Sequence, residues 1–473
     1  MRSSYAIQYG HTVIVHGVPL RFVPAAAVLA VAGAHLMPGS SATAEPDGIS
    51  AYLSQWRDAN HVPGTVVAIV DGEDVEVHGD GEDGDGEPVT IDTPFLLGSV
   101  AKTFTSTLIL RLVADGQLEL DAPVGRYAGW LDDPDVTVRQ LLTHTSGYRA
   151  GDGLEVSERY TTGPGAVRDA AEDLERTGRP GRYEYSSANY LVLGAVVEEV
   201  TGDPFGQHLE ETLIDPLGMV NSAATADRAT DLPPGHRHWW GRPRPYDPGL
   251  DESGAPYGYV ASTVDDLATY ARAQLSGSLL SPALQAEAQR IQVRTGDERG
   301  YGFGWRVDEN GGRTIVHHTG ATPGYFAHVL LVPTQDRAVV VLANTYSEAR
   351  APSLAAAARD LEVIASGGQA GVKSGDPLLG ALPWALSGFA LLGFITAWRY
   401  RWWPRRRPFR VLAAAAAVLL AGGLVALPIL SGMPLRSLPI WAPDMAVGVA
   451  VGVLTWVAAA VMALRRARPG CTA

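Results

Sequence analysis

The stretch FLLGSVAKTF, Phe95–Phe104, places a serine and a lysine three residues apart where a helical pattern begins. Lysine is scarce in this chain. Of 37 Lys and Arg residues, only Lys102 and Lys373 are lysine; the other 35 are arginine. An Ala-, Gly- and Arg-rich composition points to a GC-rich coding sequence and accounts for the scarcity, but not for where the survivor sits. On a solvated surface either cation serves. Arginine cannot give up its proton, whereas a buried lysine can. A position that keeps lysine in an arginine-rich chain therefore marks an amine that must at times be neutral. Lys373 lies in the flexible-looking SGGQAGVKSGD, 366–376, and needs no such account.

Working outward, Gly98 precedes the serine, and Ala101, Phe104, Leu108 and Leu112 recur at helical spacing. The pattern predicts a helix over Ser99–Asp115. Residues i and i+3 share a helix face, so Lys102 points at Ser99. Ser99 stands near the helix N-terminus, where free N–H groups and the dipole favour negative charge. That suits an oxygen that becomes an alkoxide, with the lysine accepting its proton or stabilising the anionic form of another base. A bare Ser-x-x-Lys also fits an N-capping serine followed by a surface lysine. The rarity of lysine and the preceding glycine set this pair apart.

Two further segments carry chemistry. In GRYEYSSANYLVLG, Gly181–Gly194, Tyr185 can supply a phenolate base if a nearby Lys⁺ lowers its pKa; it also fits a core tyrosine. In VHHTGATPGY, Val316–Tyr325, the triplet His318-Thr319-Gly320 falls on a predicted strand. Gly320 lets another group approach the backbone closely. The Ala321 N–H then pairs with that of Ser99 as an oxyanion hole, worth roughly 3 kcal/mol per donor. His317 and His318 lack a third ligand nearby, so no metal is expected. Asp71–Pro88 reads as a solvated turn, because Pro88 falls where a calcium loop starting at Asp83 needs glycine. His236 and His238 in GHRHWW read as loop or aromatic rim, and His144 in THTSG as a structural hydrogen-bonder. No cofactor is expected.

These residues carry a resemblance. LLGSVAKTFTSTLILRLVADGQLELDAPV, VTVRQLLTHTSGY, YSSANYLVLGAVVEEVTG and HTGATPGY, in this order, are similar to the landmark segments of the serine β-lactamase and penicillin-binding protein superfamily. The branch most resembled is that of class C β-lactamases with their esterase and carboxypeptidase relatives. The similarity covers most of residues 60–350. It implies an acyl-enzyme hydrolase: Ser99 as nucleophile, Lys102 and Tyr185 as the proton-handling pair, and His318-Thr319-Gly320 on the strand edging the site. In the family the tyrosine motif is commonly Tyr-x-Asn, whose Asn binds the substrate amide. Here that position is Ser187, and His318 stands where many members have lysine. Both departures argue against an efficient β-lactamase and leave ester, amide or D-amino-acid peptide hydrolysis open. A penicillin-recognising sensor with little turnover is the alternative reading.

The ends of the chain read as membrane signals. Arg2 and Arg21, the apolar run Phe22–Met37 and Ala42-Thr43-Ala44 predict an export signal over 1–44. Residues 45–365 form the hydrolase domain and 366–376 a linker. Residues 377–473 hold three apolar runs, about 378–398, 411–431 and 445–464, each long enough to span a bilayer. Residues 376–473 contain ten Arg and two Asp, a charge of +8, which leaves −22 on the remainder of a chain whose net charge is −14. An acidic body on a basic, apolar tail excludes a nucleic-acid-binding reading. Six arginines in Arg399–Arg410 and the RRAR at Arg465–Arg468 face the cytoplasm by the positive-inside rule, which puts the body outside. The expectation is thus a multi-pass membrane protein with an extracytoplasmic catalytic domain and a small-molecule or peptidoglycan-type substrate. The single cysteine, Cys471, allows no internal disulfide. Strand patterns at Gly64–Gly79 and beyond Thr314, with helical patterns between, predict an α/β (α+β) sandwich. Its antiparallel sheet is completed by both ends of the domain, with a helical subdomain in the middle.

Overall fold

The computed structural model describes residues 48–131, 133–400, 402, 407–430 and 432–465. The export signal at 1–44, residues 401 and 403–406 of the arginine-rich loop, and Arg466–Arg468 lie outside them.

The expected antiparallel sheet is present. It has eight strands: β1 (Gly64–Asp71), β2 (Asp74–Gly81), β3 (Val293–Gly296), β4 (Arg299–Tyr301), β5 (Arg306–Asn310), β6 (Arg313–Thr322), β7 (Tyr325–Val332) and β8 (Arg337–Ala343). Their order is β2-β1-β8-β7-β6-β5-β4-β3. The start of the domain thus pairs with its end. The register runs from Thr65↔Ala343 to Asp71↔Arg337, closed by an Arg337–Asp71 ion pair of 2.6 Å. β2 is an edge strand whose Asp74, Glu76 and Asp80 charges discourage pairing with a further chain.

Alternation along β1 splits the core. Val66, Ala68 and Val70 face the helical region, while Val67 and Ile69 face α1 (Gly48–Asn60) and the C-terminal helix of the domain, Ala351–Ala365. In α1 the apolar residues Ile49, Tyr52, Leu53 and Trp56 recur at helical spacing and form one buried face. Tyr52 Oη donates to Asp360 Oδ2 at 3.0 Å, and Trp56 Nε1 to Ser353 O at 3.2 Å, tying the two outer helices together. On the other face lies α2 (Ala101–Ala114), buried on almost every side. A helix that is buried all round belongs at the centre of a fold, and α2 carries the serine–lysine segment there.

Among the described residues, three helices beyond the domain are long and apolar enough to cross a membrane: α3 (Pro377–Tyr400), α4 (Arg407–Leu430) and α5 (Pro443–Leu464). They match the three apolar runs of the sequence. Small residues let them pack closely: a Cβ at Gly448 would meet Leu386, and one at Gly452 would meet Leu424. Leu391, Phe394, Leu419 and Leu454 point outward and are exposed.

Candidate active site

Backbone pairing positions the serine. Phe95–Leu96 pairs with Ala261–Ser262, and Leu97 N donates to Val260 O at 2.9 Å. Gly98, at φ +51°, then turns the chain into a short 3₁₀ segment, Gly98–Val100, that leads into α2. The turn lies directly against β6. A Cβ at Gly320 would sit 1.9 Å from Leu97 O and 2.7 Å from Ser99 N. One at Gly98 would sit 2.2 Å from Ala321 N. Only paired glycines permit this backbone-to-backbone approach. β5 pairs with β6 only as far as His317, so residues 318–322 present an edge that faces the serine turn instead of a strand. The backbone turns that carry Ser99 N and Ala321 N thereby lie close together at one end of a cleft.

Lys102 is fully buried beneath Ser99. Its Nζ lies 3.0 Å from Ser99 Oγ, 3.2 Å from Ser187 Oγ and 2.9 Å from Tyr257 O. Burial, with the Arg306 guanidinium nearby, holds the amine well below the usual lysine range. Aromatic rings surround it: Nζ is 5.3 Å from the centroid of Tyr185, 5.7 Å from that of Tyr190 and 5.6 Å from that of Tyr257.

Tyr185 is positioned by the THTSGY loop. Glu184 N donates to His144 O at 2.9 Å, and Ser186 N to His144 Nδ1 at 3.2 Å. His144 adopts φ +56°, a conformation uncommon outside glycine, and packs its ring 4.4 Å from that of Tyr185. Asn189 Nδ2 also donates to His144 Nδ1, at 2.9 Å, and its Oδ1 accepts from Ser146. His144 is thus the hydrogen-bonder the sequence suggests, and Asn189 is turned away from the serine. Burial pushes the Tyr185 phenol up to about 12, with Arg306 and the Ser99 hydroxyl acting in the opposite direction. At neutral pH the phenol keeps its proton.

Ser99, Tyr185, Ser187, Thr319, Gly320 and Ala321 line one open cleft. His318 does not reach it. Its buried ring is engaged on both sides, Nδ1 with Thr319 O at 2.7 Å and Nε2 with Tyr301 Oη at 3.1 Å. His317 points to the other face, toward His328, Asp308 and Arg359. Among the described residues there is no group of three or more His, Cys, Asp or Glu that could hold a metal. His236 and His238 lie on a hairpin strand, bonded to Asn344 O and Thr345 Oγ1.

Sequence reasoning missed Arg306. It lies on β5 with Cζ 4.9 Å from the Tyr185 ring and lines the cleft. The available signal was an arginine inside the apolar run YGFGWRV, Tyr301–Val307.

A family model described as Beta-lactamase matches residues 49–363. Penicillin-binding protein 4 of Amycolatopsis lactamdurans is 32% identical over 314 residues, covering 61% of this chain and 82% of that protein. Esterase EstB of Burkholderia gladioli is 32% identical over 334 residues, covering 58% and 83%. The octameric penicillin-binding protein homologue from Pyrococcus abyssi aligns with a TM-score of 0.59 at 26% identity, covering 68% of this chain and 77% of that one.

Proposed function

Since this chain belongs to the Beta-lactamase family, we propose that it is a membrane-anchored serine hydrolase that cleaves an ester, amide or D-amino-acid peptide bond through an acyl-enzyme at Ser99. The observation that carries the reading is the 3.0 Å contact between Ser99 Oγ and an amine whose pKa burial holds well below the usual lysine range, which favours its neutral form. A neutral amine has two N–H donors and one lone pair. Tyr257 O can only accept, so it takes one N–H, and Ser187 Oγ takes the other. The lone pair is left for the Ser99 hydroxyl proton.

In the proposed cycle Ser99 Oγ attacks the carbonyl carbon as its proton moves to Lys102 Nζ. The oxyanion is held by the N–H groups of Ser99 and Ala321. Tyr185 Oη, protonated at neutral pH, gives its proton to the leaving group and is reprotonated from the Lys102 ammonium. Water then attacks the ester, with the same pair removing its proton, and Ser99 is released. Thr319 and Ser187 contact the substrate; His318 supports the strand from behind. The relatives include proteins named as an esterase and as penicillin-binding proteins, which supports this range of bonds. Three apolar helices and the arginine-rich segments beside them support an anchored, extracytoplasmic placement of the domain.

The test is intact mass against time, with product release, for the wild type and Ser99→Ala given a penicillin and an activated short-chain ester. A mass gain on the wild type alone, with steady product, is expected. A stable adduct without turnover would favour the sensor reading, and turnover by a folded Ser99→Ala would remove the mechanism.

A further inference from the structure

The connection between α4 and α5 does not lie free of the body. Arg436 donates to Ser157 O at 3.1 Å and to Leu154 O, and its Nε lies 3.6 Å from Glu155 Oε2. From the other side, Arg237 donates to Pro439 O and Ile440 O at 3.0 and 2.9 Å. Trp240 adds two bonds of 2.9 Å, from Nε1 to Ser387 Oγ on α3 and from its N–H to Asp444 Oδ2 on α5. These contacts hold the short helix Leu438–Trp441 in place, and Trp441 lines the same cleft as Ser99. Its ring lies 5.9 Å from that of Tyr346 in an edge-on contact.

A membrane anchor needs only to span the bilayer. Nothing in that task requires it to send a tryptophan into a catalytic cleft, or to commit two guanidinium groups to backbone carbonyls across the contact. Near Ser99 the cleft is lined by Tyr185, Ser187, Arg306, Thr319 and backbone. Away from it the lining turns apolar, with Leu154, Phe326, Tyr346, Ala351 and Trp441. Glu158 belongs to this wall, but burial pushes its carboxyl up to about 7, so the charge it places there at neutral pH is partial. Trp240 and Trp384 pack 6.4 Å apart at the same end of the helices, and tryptophan favours the membrane–water interface.

Resting on Ser99 as nucleophile, we propose that Trp441 is a specificity-determining wall of the cleft, and that the substrate is an amphiphilic ester or amide with an apolar arm lying along it. The membrane segment is then part of the enzyme's substrate site as well as its tether.

The test uses the full chain in lipid nanodiscs and two ester series, one lengthened on the acyl side from acetyl to octanoyl, the other on the alcohol side from methyl to octyl. In one series kcat/KM should rise by roughly fourfold for each methylene that reaches the wall. Trp441→Ala should flatten that rise through KM, Trp441→Phe should restore most of it, and Leu419→Ala, outward-facing on α4, should keep the wild-type slope. Esters offered in solution and esters embedded in the bilayer should show the same dependence on Trp441; a faster embedded series identifies the membrane as the source of the amphiphile. An active wild type with flat profiles in both series, or an unchanged slope in Trp441→Ala, overturns the proposal and leaves the nucleophile reading intact. A wild type as inert as Ser99→Ala overturns both. Independently of activity, Glu155→Cys with Arg436→Cys, in a Cys471→Ser background, should be joined within one chain by a short bismaleimide. Failure to join them overturns the wall.

Discussion

Replacing Lys102 with arginine asks directly why an arginine-rich chain keeps a lysine under Ser99. The new side chain keeps the positive charge that lysine would carry in water but cannot become neutral. The lone pair that receives the Ser99 proton is gone. Loss of a positioned general base costs about 10²–10⁴ in rate, or roughly 3–5 kcal/mol. The site adds a second difficulty. Around Nζ stand Ser99 Oγ, Ser187 Oγ and Tyr257 O, three oxygens for a group with five N–H donors, and among the described residues no carboxylate bonds to Nζ. Arginine therefore also strains the fold, so Lys102→Met, of similar length and apolar, is the companion variant. The assay is the single-turnover acylation rate as a function of pH. In the wild type the active form is the neutral amine, so the rate climbs as pH rises through the depressed pKa of Lys102 and then levels off. Both variants should acylate about a thousandfold more slowly and lose that ascending limb. Stability provides a separate check. Between its folded pKa and the ordinary 10.5, Lys102 binds a proton unfolded but not folded, so wild-type stability increases with pH across that window and falls as pH drops through it. Lys102→Met should remove this slope and melt higher at neutral pH. A folded variant that acylates at the wild-type rate with the wild-type pH profile would refute the reasoning.

Two other perturbations bear on the same chemistry. Arg306→Gln removes a cation that disfavours the Lys102 ammonium, so the ascending limb of the acylation rate should move to higher pH; an unmoved limb would show that burial alone sets it. Gly320→Ala puts a Cβ against Leu97 O and Ser99 N, opening the gap between the serine turn and β6. Turnover should fall by about 10²–10³-fold, as when one oxyanion donor is lost, with far-ultraviolet circular dichroism retained; near-normal kcat would argue against the Ser99–Ala321 pair.

The sheet, its closure by the two ends of the domain and the serine helix were legible because each rests on a local pattern. Val66–Val70 is a short continuous apolar run closed by an Asp71-Gly72 turn, and Ala101 to Leu112 recur at helical spacing. A close approach to the backbone at Gly320 was legible for a related reason: a glycine there leaves space for another group; that Gly98 is its partner was not. Arg306 was not legible, because its partner Tyr185 is on a different segment, and an arginine in a strand gives no hint of the ring it faces. Nor was the burial of His318: alternation sets it on the opposite face from His317, but that Tyr301 and the Thr319 carbonyl would enclose its ring depends on tertiary packing. The contact of Arg436 and Trp441 with the cleft could not be read at all, since spans are recognised by length and hydropathy and neither reports docking.

The serine at position 187 can be understood from the same geometry. Its Oγ takes one N–H of Lys102 at 3.2 Å, so the position still serves the base even without an amide side chain. Asn189, the one nearby side chain that could replace an amide, is held by His144 and Ser146 within the frame that supports Tyr185. Moving it toward the substrate would remove one of the two donors to Nδ1 of His144 and weaken the hold on the tyrosine. The two demands, an amide for the substrate and a fixed Tyr185, therefore compete for one asparagine, and in this chain the frame has it. Substrate grip must then come from elsewhere in the cleft. What the cleft offers beyond the edge of β6 is the apolar wall of Leu154, Phe326, Tyr346 and Trp441. On the proposed roles of Ser99, Lys102 and Tyr185, a cleft that lacks a side-chain amide beside the nucleophile but has an apolar wall is better matched to esters with an apolar arm than to peptides that must be held through their amides.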